Sequence, residues 1–346
     1  MTYGTVNVDS MVTSTGQILG AGNATAFKNR IINGGMTISQ RGSQTGLGGN
    51  SAYTVDRWLL GRENGSQAAR FTITNTALTS SDTPLSQDGL SYALQANVTT
   101  ASGGISAGYS NYITQRIEGF NVADFAWGTS SAKPVTLSFW AKTVNKTGTM
   151  SVSLYSSAGR NYVQTISMTT SWQKFSLTFP GDTGGSILTS DNSSQLQLMF
   201  VLSSGSNFQV TANQWNTGFA NSTSSQVDFT DSTSNVVYIT GVQLEVGTQA
   251  TSFDFRDYGR ELILCQRYYQ ASSYGTTTYP SATGYARAYA SFPVIMRTAP
   301  TMVFVDQGSG GSSLASGSYT NGYWNTYQSL ASSSAGTFTW TATSEL

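Results

Sequence analysis

The chain has 346 residues, with 17 basic and 17 acidic side chains, no histidine and a single cysteine. Without histidine, Ser-His-Asp and Cys-His catalysis are excluded, and so is the commonest side-chain ligand for metals. One cysteine allows no intrachain disulfide and no paired-cysteine zinc site. The balanced charge argues against a nucleic-acid surface, which needs basic groups to neutralise phosphates, while 38% hydrophobic and 12% aromatic residues suffice for a sizeable core.

Residues 1–26 are polar and interrupted by glycine, with too few apolar side chains for a core of their own. They lack the basic and apolar regions of a signal peptide, so we expect the protein to be made in a cytoplasm. No stretch of the chain approaches the roughly 20 apolar residues that would span a bilayer. This segment is expected to gain order only by pairing with something else, and a flexible tail is the alternative.

The next segment begins with apolar side chains on both sides of an Asn-Gly turn signal. Ile31, Ile32, Met36 and Ile38 therefore predict a first pair of strands.

Short strands separated by turn residues make up the chain from Tyr53 to about Phe255. Because no helical pattern of roughly ten to fifteen residues intervenes, the spacing favours a β-sandwich or jelly roll over βαβ units. Phe139, Trp140 and Trp172 are interpreted as core or sandwich-edge aromatics. The clearest predicted strands are 70–75, 91–98, 113–117, 135–143, 150–156, 174–179, 195–202 and 236–246.

Residues 203–234 break this rhythm with many asparagines and serines around Gln214 and Trp215. A loop of this length inside a compact domain is often a binding loop or a subunit contact.

The pattern changes period near residue 257. Val242, Leu244 and Val246 alternate with polar residues, which predicts a strand with Glu245 facing outward. Leu262, Leu264 and Cys265 then fall at helical spacing, which predicts a short linking helix within 257–270. Cys265 is expected to be a small buried apolar residue, and Glu261 should lie in the first helical turn, where an acid suits the dipole.

Residues 271–346 form a second, smaller β region. Strands are predicted at 286–292, where Arg287, Tyr289 and Ser291 alternate with apolar residues, and at 301–306 and 337–343, with a glycine-rich turn at 308–317. About 75 residues are too few for an ample core, so association of several copies is expected.

An aromatic set in this region, expected to lie in a loop, is the candidate binding site. Flat rings beside amide and hydroxyl groups suit a glycan or a protein surface. The alternative is that these side chains fill the axis of an oligomer. The set consists of Tyr319, Asn321, Tyr323, Trp324, Asn325 and Tyr327.

No catalytic residues and no cofactor are predicted. Glycoside cleavage needs a carboxylate pair at a fixed separation, and the five glutamates and twelve aspartates include no recognisable pair. A structural calcium ion held by main-chain carbonyls and by residues 228–231 (DFTD) is the alternative to solvated turn aspartates, which we favour.

Six sequence motifs follow one another along the chain: 27–41 (FKNRIINGGMTISQR), 53–58 (YTVDRW), 135–142 (VTLSFWAK), 172–179 (WQKFSLTF), 241–247 (GVQLEVG) and 261–269 (ELILCQRYY). Together they resemble the jelly-roll domain of bacteriophage tail-fibre and receptor-binding proteins, especially in phages of marine and cyanobacterial hosts.

The resemblance implies an all-β virion protein on the exterior of a tail or capsid. Residues 1–26 would attach it to another tail or capsid protein, 27–256 would form the jelly-roll sandwich, 257–270 the linking helix, and 271–346 the C-terminal β tip. A homotrimer that binds a bacterial surface glycan or protein, without enzymatic activity, is the expected form. The alternatives are a capsid decoration or fibre-anchoring subunit without a receptor site, and a carbohydrate depolymerase.

Overall fold

The computed structural model describes residues 10–12, 18–20, 28–49, 51–64, 67–82, 85, 88–276, 284–306, 315–330 and 337–346. The predicted attachment segment 1–26 lies outside the described residues, apart from two short strands that pair antiparallel. The chain divides into two compact units, residues 1–256 with Leu346 and residues 257–345.

The described strands are β1 (Ser10–Val12), β2 (Ile18–Gly20), β3 (Gln44–Leu47), β4 (Ala52–Tyr53), β5 (Leu59–Glu63), β6 (Arg70–Ala77), β7 (Tyr92–Thr100), β8 (Ser110–Glu118), β9 (Val135–Val144), β10 (Gly148–Ser156), β11 (Arg160–Met168), β12 (Gln173–Phe179), β13 (Ser194–Ser204), β14 (Trp215–Thr217), β15 (Val236–Val246), β16 (Tyr269–Thr276), β17 (Gly284–Ser291), β18 (Thr301–Asp306), β19 (Ala315–Tyr319), β20 (Tyr323–Leu330) and β21 (Thr337–Thr343). Helix α1 spans Tyr258–Gln266.

The first unit is an antiparallel jelly-roll sandwich, as predicted. A seven-stranded sheet has the order β14-β11-β10-β13-β8-β5-β4, and a six-stranded sheet has the order β12-β9-β15-β7-β6-β3. Alternate side chains of both sheets meet in one core, because each strand presents one face inward. The largest core side chains include Trp58, Phe71, Trp127, Phe139 and Phe200.

Strand β15 occupies the centre of the six-stranded sheet between β9 and β7. Val237, Ile239 and Leu244 are buried in the core, and the observed bounds agree with the predicted strand 236–246. The register shifts between Thr240 and Gln243, where Gly241 adopts a φ of +60°. Glycine is suited to this left-handed conformation, which lets the strand bend while it continues the ladder.

The predicted first strand pair at residues 31–38 is wrong, although Ile31, Met36 and Ile38 are buried. Asn33 and Met36 take left-handed φ angles of 57° and 58°, which interrupt an extended chain. The Asn33 side chain substitutes for a strand partner: its amide nitrogen donates to the Ile38 carbonyl (2.8 Å), and its oxygen accepts from the Ile38 amide (3.0 Å). Side-chain hydrogen bonds of this kind compete with a regular ladder.

Residues at both ends of the sandwich unit are joined by a polar cluster, which we call the closing network. It comprises the buried side chains of Asn29, Gln243, Glu245 and Thr251 and the half-buried side chain of Arg256. Asn29 Oδ1 accepts from the amide of Leu244 on β15 (3.1 Å), and Arg256 donates to the carbonyls of Asn29 and Ile31. The 27–41 and 241–247 motifs therefore meet in space.

Glu245 does not face solvent, which corrects the prediction. It is only 1% exposed because the chain at Thr251 folds over it. Its carboxylate accepts from the Thr251 amide (2.9 Å), the Thr251 hydroxyl (2.7 Å) and the Gln243 amide nitrogen (2.8 Å). A buried carboxylate with three donors is satisfied without a metal or a catalytic role.

The second unit contains helix α1 and two three-stranded sheets, β16-β21-β18 and β17-β20-β19. Asp257 caps α1 by accepting from the Arg260 amide (2.9 Å), and Cys265 is buried as predicted. The helix ends earlier than expected, because residues from Tyr269 already belong to β16. A small core consists of Phe292, Met296, Trp324, Phe338 and Ala342.

The predicted strand 286–292 corresponds to β17, which begins two residues earlier and ends at Ser291. The bounds of β18 and β21 agree with the predictions 301–306 and 337–343. The predicted turn 308–317 lies outside the described residues up to 314, and residues from Ala315 onward belong to β19.

Candidate binding surfaces

The predicted aromatic set does not lie in a loop. Tyr319 ends β19, Asn321 lies in the connecting turn, and Tyr323, Trp324, Asn325 and Tyr327 belong to β20. Because successive side chains of a strand point to opposite faces, the set is divided between the core and the outside.

Trp324 and Tyr319 lie on the core face. Trp324 is 3% exposed, and its ring contacts Phe304, Phe338 and Trp340 at centroid distances of 5.5, 6.0 and 5.5 Å. Its indole nitrogen Nε1 is buried and has no hydrogen-bond partner among the described residues. A ring enclosed in this way is not available to stack on a ligand, so the expected loop position of Trp324 is wrong.

Tyr323 and Asn325 lie on the opposite face of β20, which forms the candidate site. The register with β17 pairs Ser291 with Tyr323 and Tyr289 with Asn325. Tyr289 is 84% exposed and Tyr323 is 49% exposed. We call these four residues the tyrosine face. Tyr327 occupies a position of the same parity on β20, and its side chain is not among those described.

The tyrosine face combines two flat rings with phenol, amide and hydroxyl groups. Such a surface can stack against an apolar ring face and can exchange hydrogen bonds with hydroxyl groups at the edge. Tyr289 was not among the predicted site residues. The alternation of Arg287, Tyr289 and Ser291 already indicated its outward position, but only the strand register brings it beside Asn325.

A second aromatic cluster covers part of the outer face of the six-stranded sheet. The Lys142 ammonium lies 3.0 Å from Asp82 Oδ1, 4.8 Å from the ring centroid of Trp172 and 5.1 Å from that of Tyr238. The indole nitrogen of Trp172 also donates to Asp82 (2.8 Å). We call these four residues the Lys142 cluster.

Asp82 is held as a carboxylate in the Lys142 cluster. Burial by itself raises the pKa of Asp82, but hydrogen bonds from the Thr79 backbone, Trp172 and Lys142 outweigh burial and hold the pKa well below its ordinary value. Burial and the nearby Asp82 charge raise the pKa of the Tyr238 phenol. Since these groups bind one another, the cluster fastens the chain around Asp82 to the sheet.

The neighbouring residue Trp140 also lies on this outer face, whereas Phe139 is in the core. Trp140 Nε1 donates to Asp88 (3.1 Å), and the Lys174 ammonium lies over the Trp140 ring at 5.7 Å. The predicted packing role of both aromatics is confirmed, on opposite faces of β9.

Comparisons with known proteins give no family. No family model matches the chain, and no curated protein matches it. Among solved structures, a CBM4 module is 16% identical with a TM-score of 0.33, covering 62% of this chain and 98% of that one. The enzymatically active domain of bacteriophage CBA120 tailspike protein 4 is 15% identical with a TM-score of 0.31, covering 63% of this chain and 21% of that one.

A third structure, the CBM22-1 xylan-binding domain from Paenibacillus barcinonensis, is 11% identical with a TM-score of 0.31, covering 66% of this chain and 99% of that one. Likeness at this level carries no functional argument. The jelly-roll assignment therefore depends on the observed sheets.

Within residues 203–234, Trp215–Thr217 form edge strand β14 of the seven-stranded sheet, and the part around Phe208 and Phe219 packs on the outer face of that sheet. The Phe219 ring contacts those of Tyr155, Phe208 and Tyr112 at centroid distances of 5.2, 5.8 and 6.3 Å. The predicted loop is therefore ordered by its own aromatic side chains, and it borders a shallow cavity.

The candidate calcium stretch is a hydrogen-bonded turn. Asp228 accepts from the amide and hydroxyl of Thr230 (2.8 and 2.6 Å) and from Ser102 Oγ (2.9 Å), while Asp231 pairs with Lys146. Within the described part of the chain, no group of three or more Asp, Glu or Cys side chains is arranged to hold a metal.

Among the described residues, the helices include none with the length and apolar character that a membrane span requires.

Proposed function

We propose that this chain is a tail-fibre or fibre-tip protein of a phage virion that binds a host surface glycan through the tyrosine face. The observation that carries this proposal is the pair of exposed rings, Tyr289 and Tyr323, on one face of the β17–β20 pair beside Asn325. The sequence motifs shared with phage tail-fibre jelly rolls support the fibre role.

The chemistry of the tyrosine face favours a saccharide. Sugar rings have apolar faces that stack on aromatic side chains, and their hydroxyl groups need donors and acceptors at the edge of the contact. Tyrosine provides a large contact area with little loss of conformational entropy.

We also propose that the protein acts as a homotrimer, attached to another tail or capsid protein through residues 1–26. Outside the tyrosine face, five of the nine exposed large hydrophobic side chains among the described residues belong to residues 257–345. Val303 and Val305 on edge strand β18 are examples, at 52% and 51% exposure. This concentration of apolar surface supports association of copies through the second unit. Three weak sites in one particle would then bind with high effective concentration.

The tyrosine face is tested by a double substitution in the full chain, Tyr289→Ser with Tyr323→Ser. By analogy with bases on aromatic side chains, each ring contributes about 1–3 kcal/mol, so binding of labelled protein to a panel of marine cyanobacterial cells and to a glycan array should fall at least about tenfold. Tyr258→Ser is the matched control, because this tyrosine is 66% exposed on α1 of the same unit. Undiminished binding by a folded double variant would refute the site.

A capsid decoration or fibre-anchoring subunit is the rival function. Electron microscopy of particles carrying labelled protein separates the two: label along the tail fibres supports the proposal, and label distributed over the capsid supports the rival.

A further inference from the structure

A shallow cavity of about 520 Å³, wide open to solvent, lies beside the ordered loop of the sandwich unit. It belongs neither to the tyrosine face nor to the Lys142 cluster. Eight residues line it: Thr165, Gln209, Val210, Thr211, Ala212, Thr223, Ser224 and Ser225. Its volume falls within the range of roughly 300–1,000 Å³ that is usual for small-molecule sites.

The walls of the cavity are held in place by hydrogen bonds on both sides. The Val210 amide donates to the Ser222 carbonyl (2.9 Å), and the Asn213 amide donates to the Val163 carbonyl of β11 (2.8 Å). On the other wall, the Thr223 amide donates to the buried hydroxyl of Ser151 on β10 (3.2 Å). The cavity is thus built on two strands of a sheet, which gives its lining groups a defined arrangement.

The lining chemistry restricts the class of ligand. Six of the eight lining residues carry hydroxyl or amide side chains, and none carries a charge. Thr223 and Ser225 bond to each other through their hydroxyl groups (2.8 Å). The hydroxyls of Thr165, Thr211 and Ser224 have no partner in the described part of the chain and are exposed to solvent.

An apolar ligand would desolvate these hydroxyls without replacing their hydrogen bonds, which is unfavourable. An anionic ligand would find no cation among the lining residues to balance its charge. A neutral ligand with many hydroxyl groups meets both conditions, because it offers donors and acceptors without requiring a counter-charge.

We propose that this cavity is a second saccharide site, specific for neutral sugars of one or two rings. Its mechanism differs from that of the tyrosine face, because binding depends on hydroxyl and amide groups without an aromatic stacking partner. Binding through exchange of hydrogen bonds with water is weak, so a dissociation constant on the order of millimolar is expected.

The test uses the full chain carrying Tyr289→Ser and Tyr323→Ser, so that the tyrosine face does not contribute. Saturation-transfer NMR with methyl glucoside, methyl galactoside and lactose measures neutral sugars, and glucuronic acid is the anionic comparator. Thr165→Phe places a large side chain at the cavity wall on β11. Ser167→Phe is the matched control, because Ser167 lies two residues further along the same strand, is also exposed and does not line the cavity.

At least one neutral sugar should give a transfer signal that falls about fivefold or more in the Thr165→Phe chain and persists in the Ser167→Phe chain. If Thr165→Phe alters folding, Ser224→Trp replaces it as the test, because Ser224 also lines the cavity. This variant should show the same loss of the neutral-sugar signal. Absence of any neutral-sugar signal, equal signals in the two phenylalanine variants, or equal binding of glucuronic acid would each overturn the proposal. Failure here leaves the tyrosine face untouched, since those residues are already replaced.

Discussion

Replacing Trp324 should destabilise the second unit of the protein, because this side chain lies at the centre of its small core. Its ring contacts Phe304, Phe338 and Trp340 and is 3% exposed. Substituting alanine for a buried tryptophan costs about 3–5 kcal/mol. Residues 257–345 number 89, and at roughly 0.05–0.15 kcal/mol per residue their whole stability is about 4–13 kcal/mol. Trp324→Ala should therefore remove at least about a quarter of it.

Two further variants separate burial from other effects. Tyr323→Ala, one residue away on the exposed face, should change the free energy of unfolding by about 0.5 kcal/mol or less. Trp324→Phe keeps an aromatic ring and removes the unpartnered Nε1–H, whose burial costs about 1–3 kcal/mol. Because this gain offsets part of the lost ring volume, Trp324→Phe should be much milder than Trp324→Ala.

The assay is urea unfolding of the full chain, with hydrogen exchange and mass spectrometry to assign the transition to β18, β20 and β21. Exchange in these strands should accelerate strongly in Trp324→Ala and little in Tyr323→Ala. Equal effects of the two alanine substitutions would show that Trp324 is not a core residue, and would restore it as a candidate for ligand stacking.

Four other outcomes are expected. Gly34→Ala should destabilise the sandwich by about 1–3 kcal/mol or more, since a Cβ there would lie 2.0 Å from the Val242 carbonyl oxygen, whereas Gly35→Ala, with 3.7 Å to its nearest neighbour, should have little effect in the same denaturation assay. The pKa of Asp82 is lowered in the folded state, so its carboxylate stabilises the protein above about pH 4, and this contribution is lost as the pH falls. The variants Asp82→Asn and Lys142→Met should therefore each lose less thermal stability than the unmodified protein between about pH 4 and pH 2. Light scattering should give three times 36.8 kDa, and a monomer at micromolar concentration would contradict the proposed trimer. Deletion of residues 1–26 should leave a folded oligomer that no longer enters particles, and loss of folding would assign the segment to the core.

The sandwich strands were predictable where one face of a strand is buried and the other is exposed to solvent. Strand β12 shows this agreement: its side chains alternate between exposed and partly buried, and its predicted bounds 174–179 differ from the observed ones by one residue. Strand β11 was missed, because Val163 on its outer face is also buried, beneath the loop that returns at Asn213. The alternation of apolar and polar residues is lost when residues later in the chain cover the outer face of a strand. The sequence of the strand itself does not indicate that it will be covered.

The candidate site was predictable only in part. Strand β20 is rich in Tyr, Thr, Asn and Ser, a composition that resembles a loop, so Tyr323 and Trp324 were grouped although they face opposite sides. Their separation follows from strand pairing with β17, which joins residues distant in sequence. The motifs that carry the phage resemblance explain fold more than binding, since Asn29 and Glu245 both belong to the closing network.

The closing network has a mechanical consequence whenever the sandwich is pulled by its two ends. Arg256 donates to the carbonyls of Asn29 and Ile31, and the Lys28 ammonium donates to the Ser252 carbonyl (2.5 Å). The chain thus enters and leaves the sandwich at one place. A force applied to the two ends of the sandwich would act first on these few hydrogen bonds, and the sheets would bear force only after these bonds had broken.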